Sequence, residues 1–216
     1  MSKIYVSENA NLILKNYLRS LGHQLELVYA TDLVYSAVSA HPDIYMCKMG
    51  ADKKASLFIG DKSQLGFKYP ENIKFNAVCL GKYFFHNLKY TSPLLIQAVQ
   101  ELGMEIINVK QGYTKCNTVV VDDGAIITSD TGICKVMSAY NIELLHIQPG
   151  HVTLSGFPYG FLGGASGKVG NEIIFNGNLE KHPDFKQIKE FIESRGLTTK
   201  YFTEYTLEDI GSIIEA

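Results

Sequence analysis

The feature that most constrains this 216-residue chain is a motif that returns after one or two units of about 40 residues, and once after a unit lengthened by the glycine-rich insertion around Pro149–Gly164. A helix-like stretch ends on a small turn residue and a β-rich run follows. The copies are Leu21-Gly22-His23-Gln24-Leu25-Glu26-Leu27-Val28, Leu102-Gly103-Met104-Glu105-Ile106-Ile107-Asn108-Val109 and Tyr140-Asn141-Ile142-Glu143-Leu144-Leu145-His146-Ile147. A weaker fourth copy is Arg195-Gly196-Leu197-Thr198-Thr199-Lys200-Tyr201-Phe202. Gly and Asn suit the turn because helices commonly end on a residue with positive φ, which these two tolerate. The strands ahead of the helices repeat as well. Asn76-Ala77-Val78-Cys79-Leu80 returns 41 positions later as Asn117-Thr118-Val119-Val120-Val121, and Ile4-Tyr5-Val6 aligns with Ile44-Tyr45-Met46 at a shift of 40. Second strands are expected at Tyr83-Phe84-Phe85, Ala125-Ile126-Ile127 and Glu172-Ile173-Ile174.

A strand–strand–helix–strand unit of this length cannot cover its own apolar faces, so neighbouring units must stack. The pattern therefore predicts one α/β domain spanning residues 1–216, a five-fold pseudosymmetric α/β-propeller of ββαβ repeats around a central channel. The repeats fall at roughly 1–40, 41–75, 76–114, 115–164 and 165–216. The second is degenerate, with Lys62-Ser63-Gln64-Leu65-Gly66 standing where its helix should be. A strand and helix within Lys200–Ala216 are expected to complete the unit begun by the N-terminal strand, and Thr31 and Thr206 to begin short helical turns. An open doubly wound sheet is the alternative.

Helix boundaries are legible. Ser92-Pro93 reads as an N-cap with proline at the first helical position, followed by the stripe Leu94, Leu95, Ala98, Val99 and Leu102. His182-Pro183-Asp184 opens a helix with Phe185, Ile188, Phe191 and Ile192 on one face, and Leu12, Leu14, Leu18 and Leu21 mark the first.

With 46% hydrophobic and 19% charged residues the chain can bury a sizeable core. Its net charge of -2 argues against a nucleic-acid partner. No apolar run approaches the ~18 residues of a membrane span and the first residues lack a signal-peptide core, so the expectation is a cytoplasmic protein without a membrane partner. Cofactor motifs are missing too. Gly167-Lys168-Val169 departs from a phosphate-binding loop, and Lys168 occupies the last glycine of a G-x-S-x-G elbow. Neither HExxH nor paired-cysteine zinc spacing occurs, so no cofactor and no metal is expected.

Among the cysteines, Cys116 is the candidate nucleophile. It is expected to begin an inner strand beside Lys115 and Asn117, where the lysine would lower its pKa. Cys47, Cys79 and Cys134 read as core. His41-Pro42-Asp43 precedes the second unit's inner strand, and a histidine and carboxylate near a thiol form a nucleophile–base arrangement. If strand starts converge on one channel mouth, His41, Asp43, Asn76, Asn117 and Ser166 meet there. Asp122-Asp123-Gly124 reads as a hairpin turn, which leaves Asp130 as a substrate anchor or, equally, a helix cap. The aromatic, glycine-rich insertion Ser155–Gly164 is a lid or a contact in a homo-oligomer.

The unit pattern resembles the pentein, or guanidino-group-modifying-enzyme, fold. The runs His41-Pro42-Asp43, Gln111-Gly112-Tyr113-Thr114-Lys115-Cys116, Ile126-Ile127-Thr128-Ser129-Asp130 and Gly160-Phe161-Leu162-Gly163-Gly164-Ala165-Ser166-Gly167 resemble an uncharacterised bacterial domain family of that fold. Characterised penteins attack a guanidinium carbon with a late cysteine, using a histidine as acid/base and carboxylates to hold the substrate; the fold also serves a non-enzymatic ribosome factor. The resemblance puts glycine, Gly167, where the nucleophile would stand, and places His151 at the position of the catalytic histidine. Two readings follow. One is a Cys116-dependent hydrolase or amidinotransferase-like enzyme acting on a C–N bond of a small guanidine- or amine-bearing cation, with His41 or His151 as base and Asn76, Asn117, Lys115, Asp130 and Ser166 around the substrate. The other is a non-catalytic binding or assembly protein on the same scaffold.

Overall fold

The computed structural model describes residues 2–216. Among them, the strands form five separate small sheets, which excludes the single open sheet. The N-terminal sheet holds β1 (Lys3–Ser7) and, after helix α1 (Leu12–Ser20), the parallel β2 (Gln24–Val28). Next come a one-turn helix α2 (Pro42–Tyr45) and the hairpin β3 (Met46–Lys48) and β4 (Leu57–Ile59), followed only by a 3-10 turn at Lys62–Gln64. The third sheet contains β5 (Val78–Leu80), β6 (Tyr83–His86), helix α3 (Pro93–Glu101) and β7 (Glu105–Asn108). A second one-turn helix, α4 (Thr114–Asn117), leads into β8 (Thr118–Asp122), β9 (Ala125–Thr128), helix α5 (Thr131–Met137) and β10 (Glu143–His146). The last unit has β11 (Ser166–Val169), β12 (Glu172–Phe175), helix α6 (Phe185–Ser194) and β13 (Thr198–Lys200). Strand β14 (Ile214–Glu215) then pairs antiparallel with β1, so the two ends of the chain share one sheet.

Where a unit is complete, the first strand runs antiparallel to the second, and the helix returns the chain to a third strand parallel to the second. That parallel return requires the helical crossover, which is why the motif recurs with the helix. The second unit has lost both helix and third strand, as Lys62–Gly66 suggested. The first strands touch in series: β3 packs on β5, β5 on β8, β8 on β11 and β11 on β14. A small cavity is lined from all five of them, including Cys47, Cys79, Val119, Ser166 and Ile214.

The helices seal the gaps between sheets. Leu14 and Leu18 of α1 pack with Ile174 of β12, Leu95 and Val99 of α3 with Cys47 of β3, and Ile133 and Met137 of α5 with Val78 and Phe85 of the neighbouring sheet. Each such buried aliphatic side chain contributes about 1.5–3 kcal/mol. Leu94 and Leu102 of the expected α3 stripe are instead half exposed.

Several sequence expectations need correction. Gly22, Gly103 and Gly196 do have positive φ after their helices, but Asn141 does not, because α5 has already ended at Met137. Thr31 begins a bend, and Lys200–Ala216 carries no helix; the polar backbone of that tail is satisfied by β14 and by bonds to β11 and the Gly163–Gly164 turn. Ile44 and Tyr45 lie in α2, so β1 is the counterpart of a second strand, and β14 supplies the first. No helix of the described residues is long and apolar enough to cross a membrane.

Candidate functional site

The site grows from the two one-turn helices that precede β3 and β8. Proline at the first position of α2 leaves no backbone N–H to satisfy there. The same turn swings His41 and Asp43 inward, where they are 4% and 0% exposed. Opposite, Asn76 organises α4: its Oδ1 accepts from the N–H groups of Lys115 (2.8 Å) and Cys116 (3.2 Å), and its Nδ2 donates to Cys116 Sγ (3.2 Å). Cys116 therefore sits on a buried helical turn ahead of the strand rather than on the strand itself.

The thiol donates to Asp43 Oδ2 at 3.0 Å, and Ser212 Oγ donates to the same oxygen at 2.8 Å. Lys115 Nζ donates to Ser212 Oγ at 3.0 Å, which makes a continuous chain from ammonium through hydroxyl to carboxylate to thiol. Ser212 has φ 75, the one described non-glycine residue in that region. Such strain costs on the order of 1 kcal/mol or more and persists only where its surroundings impose it. His41, Asp43 and Cys116 each bring one donor atom within 4.8 Å of the others. His41 Nδ1 lies 3.8 Å from Asp209 Oδ1, beyond hydrogen-bond reach, while Asp209 itself accepts from the N–H of Phe161 (2.9 Å) and Gly211 (3.0 Å).

Burial governs the titration of this cluster. It lowers His41 to about 4, leaving the imidazole neutral at pH 7, and raises Asp209 to about 6. Burial first, then the Asp43 and Asp209 carboxylates, push the Cys116 thiol well above its ordinary value. The expectation that Lys115 lowers it is thereby corrected: the lysine is itself lowered by burial and turned toward Ser212, while the carboxylate touches the sulfur. At rest Cys116 is a thiol, with Asp43 as its immediate partner.

Above the cluster opens a cavity of about 490 Å³, lined by His41, Cys116, Asp209 and Gln111 together with Tyr35, Tyr69, Tyr113, Phe157, Tyr159 and Phe161. The rings pair across it, Tyr35 with Phe157 at 5.7 Å and Tyr69 with Tyr113 at 5.5 Å. The Gly/aromatic insertion thus forms one wall of the cavity. Behind the opposite wall, His86 anchors Gly112 through its carbonyl (3.0 Å) and bonds to Thr91 Oγ1 (2.7 Å).

His86 makes a stability prediction. Burial lowers its folded pKa to about 4 from 6.5, so below pH 6.5 the unfolded chain takes a proton that the native state refuses. Its contribution is intact above that value and is lost as pH falls toward 4. The loss between pH 7 and 5 is roughly 2 kcal/mol. His41 and His182 act in the same sense, whereas Asp43 and Asp209, raised in the fold, oppose them. Urea unfolding of wild type and His86→Gln at pH 7 and pH 5 isolates the His86 share; an equal pH dependence in the two proteins contradicts it.

Of the predicted residues, His41, Asp43, Cys116, Asn76 and Lys115 meet at the cluster. The others do not. Asn117 Oδ1 accepts from Thr128 Oγ1 (2.8 Å) beneath β9, and Ser166 lies on β11 with its hydroxyl directed to Gly163 O. Asp130 caps α5 through Ile133 N (2.8 Å), although it also accepts from Gln111 Nε2 (2.8 Å). His151 is exposed, its ring 5.2 Å from that of His182, and does not line the cavity. Sequence reasoning misses Asp209 and Ser212 because it assigns the tail to strand and helix. The signal was Asp209-Ile210-Gly211-Ser212, an Asx-turn sequence in a segment with no helical period.

Fold and site together define a mixed α/β protein of five small sheets, with a buried Cys–His–Asp cluster beneath an aromatic cavity. Residues 52–214 match a family of unknown function, DUF6873, and the chain belongs to that family. A comparison with curated proteins found no match, and neither did one with solved structures.

Proposed function

We propose that the five sheets form a pentein-type α/β-propeller whose aromatic cavity binds a small guanidinium- or ammonium-bearing molecule, with Cys116 as nucleophile toward its C–N bond. The fold reading is supported by the repeated strand order, the serial contacts of the five first strands and the shared sheet of the two termini. The observation that carries the functional reading is the cavity itself: six aromatic rings over a floor that includes the Asp209 carboxylate. Desolvated cations bind aromatic faces with about 2 kcal/mol, and a buried carboxylate adds charge-assisted bonds. An uncharged ligand could donate a hydrogen bond to Asp209 but would gain no charge pairing from it.

In the reaction, Asp43 Oδ2 takes the thiol proton, and Sγ bonds to the guanidinium carbon. The C–N bond breaks as Asp43 returns that proton to the departing amine. Water then cleaves the Sγ–C bond, releasing the carbonyl product and restoring the thiol. His41, neutral and held beside Asp209, orients the group over the sulfur. A binding protein without turnover is the second reading, favoured by the resting protonated state of Cys116.

Calorimetric titration with methylguanidinium and butylammonium, against the neutral isostere butanol, tests binding. The cations are expected to bind far more tightly than butanol; equal affinity for all three overturns the proposal. Intact-mass analysis of guanidinium-treated protein separates the two readings. An adduct present in wild type and lost in Cys116→Ser supports the nucleophile, and cation binding without any adduct supports the non-catalytic form.

A further inference from the structure

Two buried polar atoms of the cluster, His41 Nδ1 and Asp43 Oδ1, have no hydrogen-bond partner among the described residues. Leaving such atoms unmet costs about 1–3 kcal/mol each, so a native fold that keeps both calls for an explanation. Their two residues form, with Cys116, a group in which one ligand atom from each lies within 4.8 Å of the others. We propose that His41, Asp43 and Cys116 bind a zinc-class divalent cation at the floor of the cavity. The proposal does not rest on the nucleophilic reading of Cys116 and excludes it while the ion is bound, because Cys116 and Asp43 then serve as ligands.

The donor set selects the ion. One sulfur, one nitrogen and one oxygen suit zinc, which accepts all three in tetrahedral geometry; calcium and magnesium require oxygen shells that this site lacks. Zinc–ligand lengths of about 2.0–2.3 Å put neighbouring donors roughly 3.3–3.6 Å apart, so the most widely separated pair would need to close in by about 1 Å, while Cys116 Sγ and Asp43 Oδ2 are already 3.0 Å apart. Short side chains can do so by small rotations. The spacing between His41 and Asp43, one residue apart on either side of Pro42, is set by α2, and Cys116 comes from the facing α4.

Charge also balances. With the thiol proton released, Cys116, Asp43 and Asp209 carry three negative charges, against one on Lys115 and two on the metal. Lys115 need not be displaced, because its ammonium is held by Ser212 Oγ and by the carbonyls of Gly163 and Thr118. Asp209 Oδ1, 3.8 Å from His41 Nδ1, flanks the ion without being required as a ligand. The cavity supplies an entry route, since His41 and Cys116 both line it, and a set of three protein ligands would leave zinc a fourth coordination position. An open fourth position is the arrangement of metal sites that bind small molecules rather than merely brace a fold.

Sequence spacing could not reveal this site. Its ligands are separated by 2 and 73 positions along the chain, and none of the short-range zinc signatures is present.

The test is titration of the metal-free protein with Co²⁺, with no organic ligand present, followed by competition with Zn²⁺. Tetrahedral thiolate coordination gives a near-ultraviolet sulfur-to-cobalt absorption and strong visible bands. One equivalent is expected to saturate them, and Zn²⁺ to abolish them. Cys116→Ser should remove the sulfur band while the far-ultraviolet dichroism stays native, and His41→Ala and Asp43→Asn should each weaken binding at least ~10-fold. The paired substitution Cys47→Ser with Cys79→Ser is expected to leave the spectrum unchanged. Absence of the bands in wild type means that water satisfies the two atoms and overturns the proposal. So does a sulfur band that survives Cys116→Ser or disappears with Cys47 and Cys79.

Discussion

Asp209→Asn is expected to weaken binding of methylguanidinium by roughly 30- to 4000-fold at pH 7. The carboxylate is 4% exposed and lines the cavity floor. Removing one partner of a buried charge pair costs about 2–5 kcal/mol, and every 1.4 kcal/mol is about tenfold in affinity. The surroundings show that the charge, rather than bulk, is what the fold accommodates. A Cβ on Gly164 would run into the carboxylate, and two backbone N–H groups, from Phe161 and Gly211, are already aimed at its oxygens. The amide of Asn cannot accept at both oxygens, so Asp209→Asn is also expected to lose about 1–3 kcal/mol of stability by leaving one donor unmet. Thermal unfolding and calorimetry read the two effects separately.

Asp130→Asn supplies the contrast. Sequence offered this carboxylate as an anchor, but it spends its oxygens on the first turn of α5 and on Gln111. Asn keeps the cap, and Gln111 Nε2 loses a part-buried acceptor that solvent can replace, so cation affinity is expected to stay within about twofold and stability within about 1 kcal/mol. Equal losses for the Asp130 and Asp209 variants in the titration would mean that the cavity does not take its ligand on the Asp209 side.

The units were legible because the complete ones carry apolar β-rich runs and a helix with a readable start, and three of them end that helix on a turn glycine, all within one short stretch. Ser92-Pro93, Gly22, Gly103 and Gly196 all signal locally. Lys62–Gly66 likewise showed a unit with its helix gone. Half of the site was legible for a related reason. His41, Asp43, Asn76 and Cys116 all precede a first strand, and structures built from equivalent units bring equivalent positions together. Asp209 and Ser212 lie beyond that logic. They belong to an irregular tail whose backbone is tied to the Gly163–Gly164 turn by the bonds from Ile210 N (3.1 Å) and Ser212 N (2.7 Å) to Gly164 O. No local period records such a contact, 46 to 48 positions away along the chain. The thiol's pKa was misjudged for a different reason. Sequence adjacency put Lys115 beside Cys116, but successive residues of a helical turn point in different directions. The lysine turned away and the distant Asp43 took its place.

Gly167→Cys, which puts a thiol where the pentein resemblance would have one, is expected to cost about 4 kcal/mol or more. Gly167 lies in β11, opposite Ile174 of β12, and a Cβ built on it would collide with the carbonyl oxygen and side chain of Ile213. That obstacle is backbone rather than the free end of a side chain, and it is fixed from both sides, by Ile213 N bonding to Ser166 O (2.9 Å) and Ser212 N to Gly164 O (2.7 Å). Overpacking a core costs about 1–3 kcal/mol when side chains can yield, and losses above that range occur where backbone must move. For a chain of this length each kcal/mol shifts Tm by about 2–4 °C, so a fall of roughly 10 °C or more is expected. Gly167→Ala should fall nearly as far, since the Cβ and not the sulfur makes the clash. Pushing Ile213 outward also drags Ser212 from Asp43, so the variant is expected to lose organic-cation adducts at Cys116 instead of gaining a second reactive thiol. A Gly167→Cys protein with native Tm, whose introduced thiol is rapidly alkylated, would return the nucleophile to the last unit. The closeness of β11 to the tail would then be looser than the packing of Ile213 against it implies, and Cys116 would revert to a buried core thiol.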